Sequence, residues 1–135
     1  MKLLVPLLMC FASAVGLTAE YKCTISRIDF GDDIEVGVKA LWNKQLVGKF
    51  LLVDTRTGVM TGALNNSLYK PPLLLNSGDS ENSFVSATIV SPRFDQGVVG
   101  VDTRIITIKT WQSGSRKPFS LFWDDMLIRG RCSSQ

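Results

Sequence analysis

From residue 20 onward the apolar positions recur with a period of two. Tyr21, Cys23 and Ile25 alternate with Lys22, Thr24 and Ser26, and Val85, Ala87 and Ile89 alternate with Ser86 and Thr88. Such alternation turns one side of a segment to a core and the other to water, which predicts half-buried strands. Ile34, Val36, Val38, Ala40 and Trp42 repeat it against Glu35, Gly37, Lys39 and Leu41, and predict another strand. Between Gly37 and Val47 a short helical turn is the alternative, because Ala40, Leu41 and Leu46 suit one. The stretch Asp102 to Trp111 is rich in Thr and Ile, which suit a pleated surface.

Turn-forming residues fall at strand-like intervals. They are Gly31-Asp32-Asp33, Asp54 to Gly58, Asn65-Asn66, Pro71-Pro72, Asn76 to Asn82, Pro92, Gly97, Gly100 and Ser113 to Pro118. Two hairpins can be written in register. In the first, Val53 pairs with Val59, Leu52 with Met60 and Phe50 with Gly62, with Gly58 supplying the positive φ of the loop. In the second, the chain turns at Asp124-Asp125, so Trp123 pairs with Met126, Leu121 with Ile128 and Phe119 with Gly130. Each register lays an aromatic ring over a strand glycine.

The ends of the chain carry the other strong signals. Met1-Lys2, an uncharged run from Leu3 to Val15 and small residues up to Ala19 describe a secretory signal peptide over residues 1–19, cut after Ala19. The apolar run is shorter than the roughly 20 residues that span a bilayer. Residues 20–135 then form a single β domain, with Cys23 and Cys132 just inside its two ends. Export meets oxidising conditions, so these two cysteines are expected to pair. A disulfide needs Cα atoms within about 7 Å, which makes the first and last strands neighbours. The expected fold is all-β: a small antiparallel barrel of about eight strands, with a two-sheet β-sandwich as the alternative. The protein is expected to be periplasmic or secreted.

Composition then removes chemistry. Without histidine the chain lacks the usual general base of Ser and Cys hydrolases and the commonest zinc ligand. No Cys-rich metal site, redox pair or phosphate-binding glycine loop exists, so neither a metal nor a cofactor is expected. Apart from Lys2, 14 basic residues face 12 acidic ones. That balance, without a basic run, argues against a nucleic-acid partner. The doublets Asp32-Asp33 and Asp124-Asp125 read as turns, while a pair such as Asp33 with Asp125 keeps open a carboxylate-based hydrolase acting on a glycan. The oxygen-rich loop Asn76 to Asn82 does not match calcium-loop spacing.

What remains points to binding. Trp111 to Pro118 is flexible in its middle and basic at its end, and Trp and Arg dominate contact hot spots. The plainer role is a long hairpin connection whose Trp111 plugs a barrel end. Arg129 and Arg131 point away from the core on the second-hairpin register, and with Arg116 and Lys117 they form a modest anion-binding patch or ordinary solvated edge charge. The candidate binding residues are therefore Trp111, Arg116, Lys117, Arg129 and Arg131. Pro71-Pro72-Leu73-Leu74-Leu75 caps a barrel end or docks a partner. The expected function is a non-enzymatic binding or inhibitor module for another protein or an envelope component. A structural envelope or assembly subunit is a further alternative.

Overall fold

The computed structural model describes residues 20–68, 70–90 and 102–135. The signal-peptide reading, and the turns expected at Pro92, Gly97 and Gly100, lie outside the described residues. Eight antiparallel strands and one helix follow in the order β1 (Glu20–Phe30), α1 (Val36–Leu46), β2 (Phe50–Asp54), β3 (Met60–Gly62), β4 (Leu73–Ser77), β5 (Phe84–Val90), β6 (Asp102–Ile108), β7 (Arg116–Trp123) and β8 (Met126–Ser134). They form one curled sheet, a half-barrel, in the order β3-β2-β1-β8-β7-β6-β5-β4. The all-β, eight-stranded expectation holds, and β1 and β8 are adjacent. No helix among the described residues is long and apolar enough to cross a membrane.

Cys23 and Cys132 are directly opposite each other in the β1–β8 ladder. Their Cα atoms are 3.8 Å apart, and the sulfurs are at bonding distance. Both are fully buried, in a core that includes Ile25, Leu51, Val53, Phe84, Ile106, Ile108, Leu121 and Ile128. The β7–β8 register is the one expected: Trp123 opposite Met126, Leu121 opposite Ile128, Phe119 opposite Gly130. A Cβ on Gly130 would come within 2.6 Å of the Phe119 ring and closer still to the carbonyl of Thr24. Only glycine fits between those neighbours.

Three expectations need correction. The first-hairpin register is slipped by one residue: Val53 pairs with Met60, Leu52 with Thr61 and Leu51 with Gly62. The loop is one residue longer than expected, closed by Asp54 N–H to Val59 C=O and Gly58 N–H to Asp54 C=O, with Gly58 at φ +79°. A one-residue slip exchanges the faces, so Leu51, Val53 and Met60 are buried, and Phe50 turns outward instead of covering Gly62.

Residues 36–46 form α1, not a strand. Ile34, Val38, Trp42 and Leu46 are four apart, a spacing that belongs to a helix face as well as to strand alternation. Tertiary contacts decide between the two: Leu46 is buried, and Ile34 and Trp42 pack on the core. Lys44 in the last turn suits the helix C-terminus. Gly48, at φ +83°, ends the helix and donates to Ile25 C=O, while Ile25 N–H donates to Lys49 C=O. Those bonds sit beside the irregularity between Ile25 and Arg27, where the β1–β8 register shifts.

Finally, Leu73–Ser77 is neither a capping segment nor wholly a loop. It is the edge strand β4, paired to β5 through Leu73 with Ala87 and Leu74 with Ser86.

The ladder stops at β3 and β4, and polar side chains bridge the opening. Inward-facing Ser86, Thr88 and Arg104 on β5 and β6 donate to main-chain carbonyls of the segment 58–66. Ser86 Oγ reaches Gly58 O at 2.9 Å, Thr88 Oγ1 reaches Asn66 O at 2.9 Å, and Arg104 Nη1 reaches Asn65 O at 2.6 Å. The Arg104 guanidinium also lies 3.7 Å from the centroid of the Trp123 ring, its cross-strand neighbour. Buried hydroxyls and a buried guanidinium are tolerable because each has these partners.

Candidate functional site

Strand alternation sorts the exposed side of the sheet. On β8, Met126, Ile128 and Cys132 are buried, so Leu127, Arg129, Arg131 and Ser133 face outward. On β7, Phe119 and Leu121 are buried, and Arg116, Pro118, Ser120 and Phe122 face outward. On β1, Lys22 and Thr24 face outward before the irregularity, and Arg27 and Asp29 after it.

The ladders bring these positions together. Arg27 is directly opposite Arg129, and Thr24 is opposite Arg131. Arg131 is opposite Pro118, and Ser133 joins Lys22 on one side to Arg116 on the other. Lys22, Arg27, Arg116, Arg129 and Arg131 therefore share one exposed face of β1, β8 and β7.

Local contacts hold the cluster in place. Asp29 sits between two of its arginines, 3.5 Å from Arg27 Nε and 3.0 Å from Arg129 Nε. Arg131 Nη1 donates to the carbonyl of Arg116 at 3.3 Å. Lys22 Nζ stands 4.4 Å above the ring of Phe50. Like charges directly opposite on neighbouring strands destabilise a ladder. One carboxylate between Arg27 and Arg129 offsets part of that, and an incoming anion would offset more.

Of the five candidate binding residues, the fold collects Arg116, Arg129 and Arg131 on this face. Lys117 has the opposite parity on β7, and its ammonium donates to the Gln112 carbonyl in its own loop. Trp111 stands apart, 46% exposed, with Nε1 donating to Ser83 Oγ at 3.0 Å, so it braces the β4–β5 loop. The sequence reading missed Lys22, Arg27 and Asp29. Lys22 was legible once Cys23 was paired with Cys132, because that pair fixes its neighbours, but the irregularity that turns Arg27 outward has no sequence signature.

The acidic doublets have another arrangement. Gly31 N–H donates to Asp125 C=O at 3.0 Å, so the turns carrying Asp32-Asp33 and Asp124-Asp125 abut. All four aspartates are exposed. Asp124 occupies φ +48° in its turn, and its carboxylate lies 3.4 Å from Thr103 N. In the loop 76–82, Asp79 spends its carboxylate on Glu81 N, Asn82 N and the Asn82 amide. These bonds hold the Asp79 carboxyl below its usual range, the Glu81 N–H contributing most. Among the described residues no group of three or more His, Cys, Asp or Glu is placed to hold a metal ion.

Comparisons with protein-family models, with curated proteins and with solved structures found no match for this chain.

Proposed function

We propose that this chain is an exported, non-enzymatic binding module whose cationic β1–β8–β7 face engages an anionic partner, an acidic protein surface or another acidic envelope component. The observation that carries this reading is the juxtaposition of Arg27 and Arg129 across a ladder, with Arg131, Arg116 and Lys22 beside them and Asp29 as their paired carboxylate. A stapled sheet keeps these side chains at fixed spacing, so a partner meets a preformed array. Long-range attraction to such an array raises the association rate and weakens with salt. The buried Cys23–Cys132 pair suits an oxidising compartment.

The test is retention of envelope components by the immobilised protein against an Arg129→Glu, Arg131→Glu variant, each at low and high salt. The reading expects a partner kept by the wild type at low salt, released by salt and lost by the variant. Equal retention by both proteins, or retention indifferent to salt, removes the face from the function.

A further inference from the structure

We propose that the cationic face of β1, β8 and β7 takes an acidic glycan, a linear polysaccharide with a carboxylate or sulfate recurring along it, laid parallel to β8. The inference rests on the reading of this face as the binding site and names what it holds.

The cations stand in rows across the three strands. Arg27 and Arg129 form the first row. Arg131, between Thr24 and Pro118, forms the second, and Lys22 and Arg116, on either side of Ser133, form the third. Successive rows are two residues apart on β8, about 7 Å, so the array runs for about 14 Å along the strand. A single anionic group reaches one row. Engaging all three takes an anion extended in one direction, with its charge repeated along its length. The arginines among these cations carry a forked guanidinium that suits the paired oxygens of a carboxylate or sulfate.

The side chains around the cations select the kind of polymer. Thr24, Ser120 and Ser133 add half-buried hydroxyl groups to the same face. Among the described residues, these hydroxyls make no hydrogen bond within the chain. Sugar hydroxyls are natural partners for them. Apolar side chains stand at the margins: Phe50 beneath Lys22, and Phe122 with Leu127 in the row beyond Arg129. A charged centre with an apolar margin is the reverse of a protein–protein interface, which has an apolar centre and a polar rim. Among the described residues no aromatic ring lies between the cations, so the bases of a single-stranded nucleic acid have nothing to stack on.

Calorimetric titration of the processed, oxidised chain at low salt tests the proposal. The probes are galacturonic acid, its oligomers of increasing length, heparin fragments as the sulfated arm and oligothymidylate as the nucleic-acid arm. Affinity is expected to rise about a hundredfold from the single sugar to an oligomer that covers all three rows, and then to level off. It falls as salt is added. Whichever glycan series binds more tightly names the charged group. Lys22→Gln with Arg116→Gln removes the third row and should weaken the long oligomers about tenfold, while the shortest fragments that bind keep their affinity at the first row. Lys44→Gln with Lys70→Gln removes as much charge from α1 and the β4 edge and should change neither. Thermal melting confirms that every variant is folded. Affinity independent of length overturns the glycan proposal and leaves an anion-binding face. Oligothymidylate held as tightly as the glycans overturns it too, as does a control pair that weakens binding as much as the third-row pair. Binding of no anion at all removes both the proposal and the reading on which it rests.

Discussion

The two edges of this sheet solve the same problem in opposite ways. At β3, one asparagine imitates the missing strand. Asn66 Oδ1 accepts from Met60 N–H at 2.7 Å, Asn66 N–H returns a bond to Met60 C=O at 3.4 Å, and Asn66 Nδ2 donates to Gly58 C=O at 2.9 Å. Ser86 Oγ adds a second donor to that same carbonyl. Asn66 is 3% exposed, so these bonds are shielded from competing water. At β4, among the described residues, the main chain has no hydrogen bond beyond its ladder to β5, and the strand is longer, uncharged, exposed and bulged at Leu75. An edge three residues long can be sealed from within by a single side chain. The longer edge is interrupted by a bulge at Leu75 instead. The contrast is between an edge closed by side-chain hydrogen bonds and one broken by a bulge.

The bridge joins β1 to β8, two strands from the β3 edge and four from the β4 edge. Replacing Cys23 and Cys132 together by alanine lowers unfolding free energy by about 4 kcal/mol, as expected for opening a loop of roughly 110 residues. Urea unfolding measures the loss, and native-state exchange should show β3 and β4 loosening together. Loosening of one edge alone would mean that the edges have separate anchors.

Asn66→Ala acts on one side of the comparison. It leaves the Met60 amide without its acceptor and Gly58 with one donor fewer in a buried setting, at about 2–3 kcal/mol. Denaturant midpoints give the magnitude. Exchange should accelerate at Met60 and stay unchanged at Leu74, and equal acceleration at both would show that the seal is not local.

The smallest effect is at the turn that closes β4 onto β5. The folded-state value of Asp79 is depressed from its ordinary 3.8. A depressed carboxyl stabilises the fold above its unfolded value, and that contribution disappears as pH falls below 3.8 through the folded value. Wild type should therefore exceed Asp79→Asn in stability near neutrality, and the two should converge at the acid end. A constant difference between them from about pH 6 to about pH 2 would reject this role for the carboxylate.

Much of the sheet was legible because its signals are local. Alternation marked β1 and the existence of β5, but on β5 the expected faces are reversed: Ser86 and Thr88 are buried with Phe84, while Ile89 is exposed. The span from Phe119 to Cys132 fixed the second hairpin, its register and the outward direction of Arg129 and Arg131. The cysteine pair set β1 against β8. What escaped was decided at a distance or by a tie. Residues 34, 38, 42 and 46 satisfy both periods, and only packing of Trp42 and Leu46 chose the helix. The first hairpin slipped because its loop holds one more residue than its glycine suggests. Leu73-Leu74-Leu75 has no alternation and follows two prolines, so nothing in it announced a strand. The bridge of Ser86, Thr88 and Arg104 to residues 58–66 joins segments 22 to 39 residues apart and has no local mark. The cationic face was half legible for the same reason: β7 and β8 are one hairpin, whereas Arg27 arrives through an irregularity in β1.

Gln135 N–H donates to Glu20 C=O at 2.9 Å, so the outer ends of β1 and β8 meet at one spot. In a variant started at Glu20, a short linker joining these two residues into a ring would leave every ladder intact. The backbone could then be reopened at an exposed turn such as Asp32-Asp33 to give a circular permutant with the same neighbours in space. In such a variant this junction lies at the opposite end of β1 and β8 from the turns holding Gly31 and Asp125.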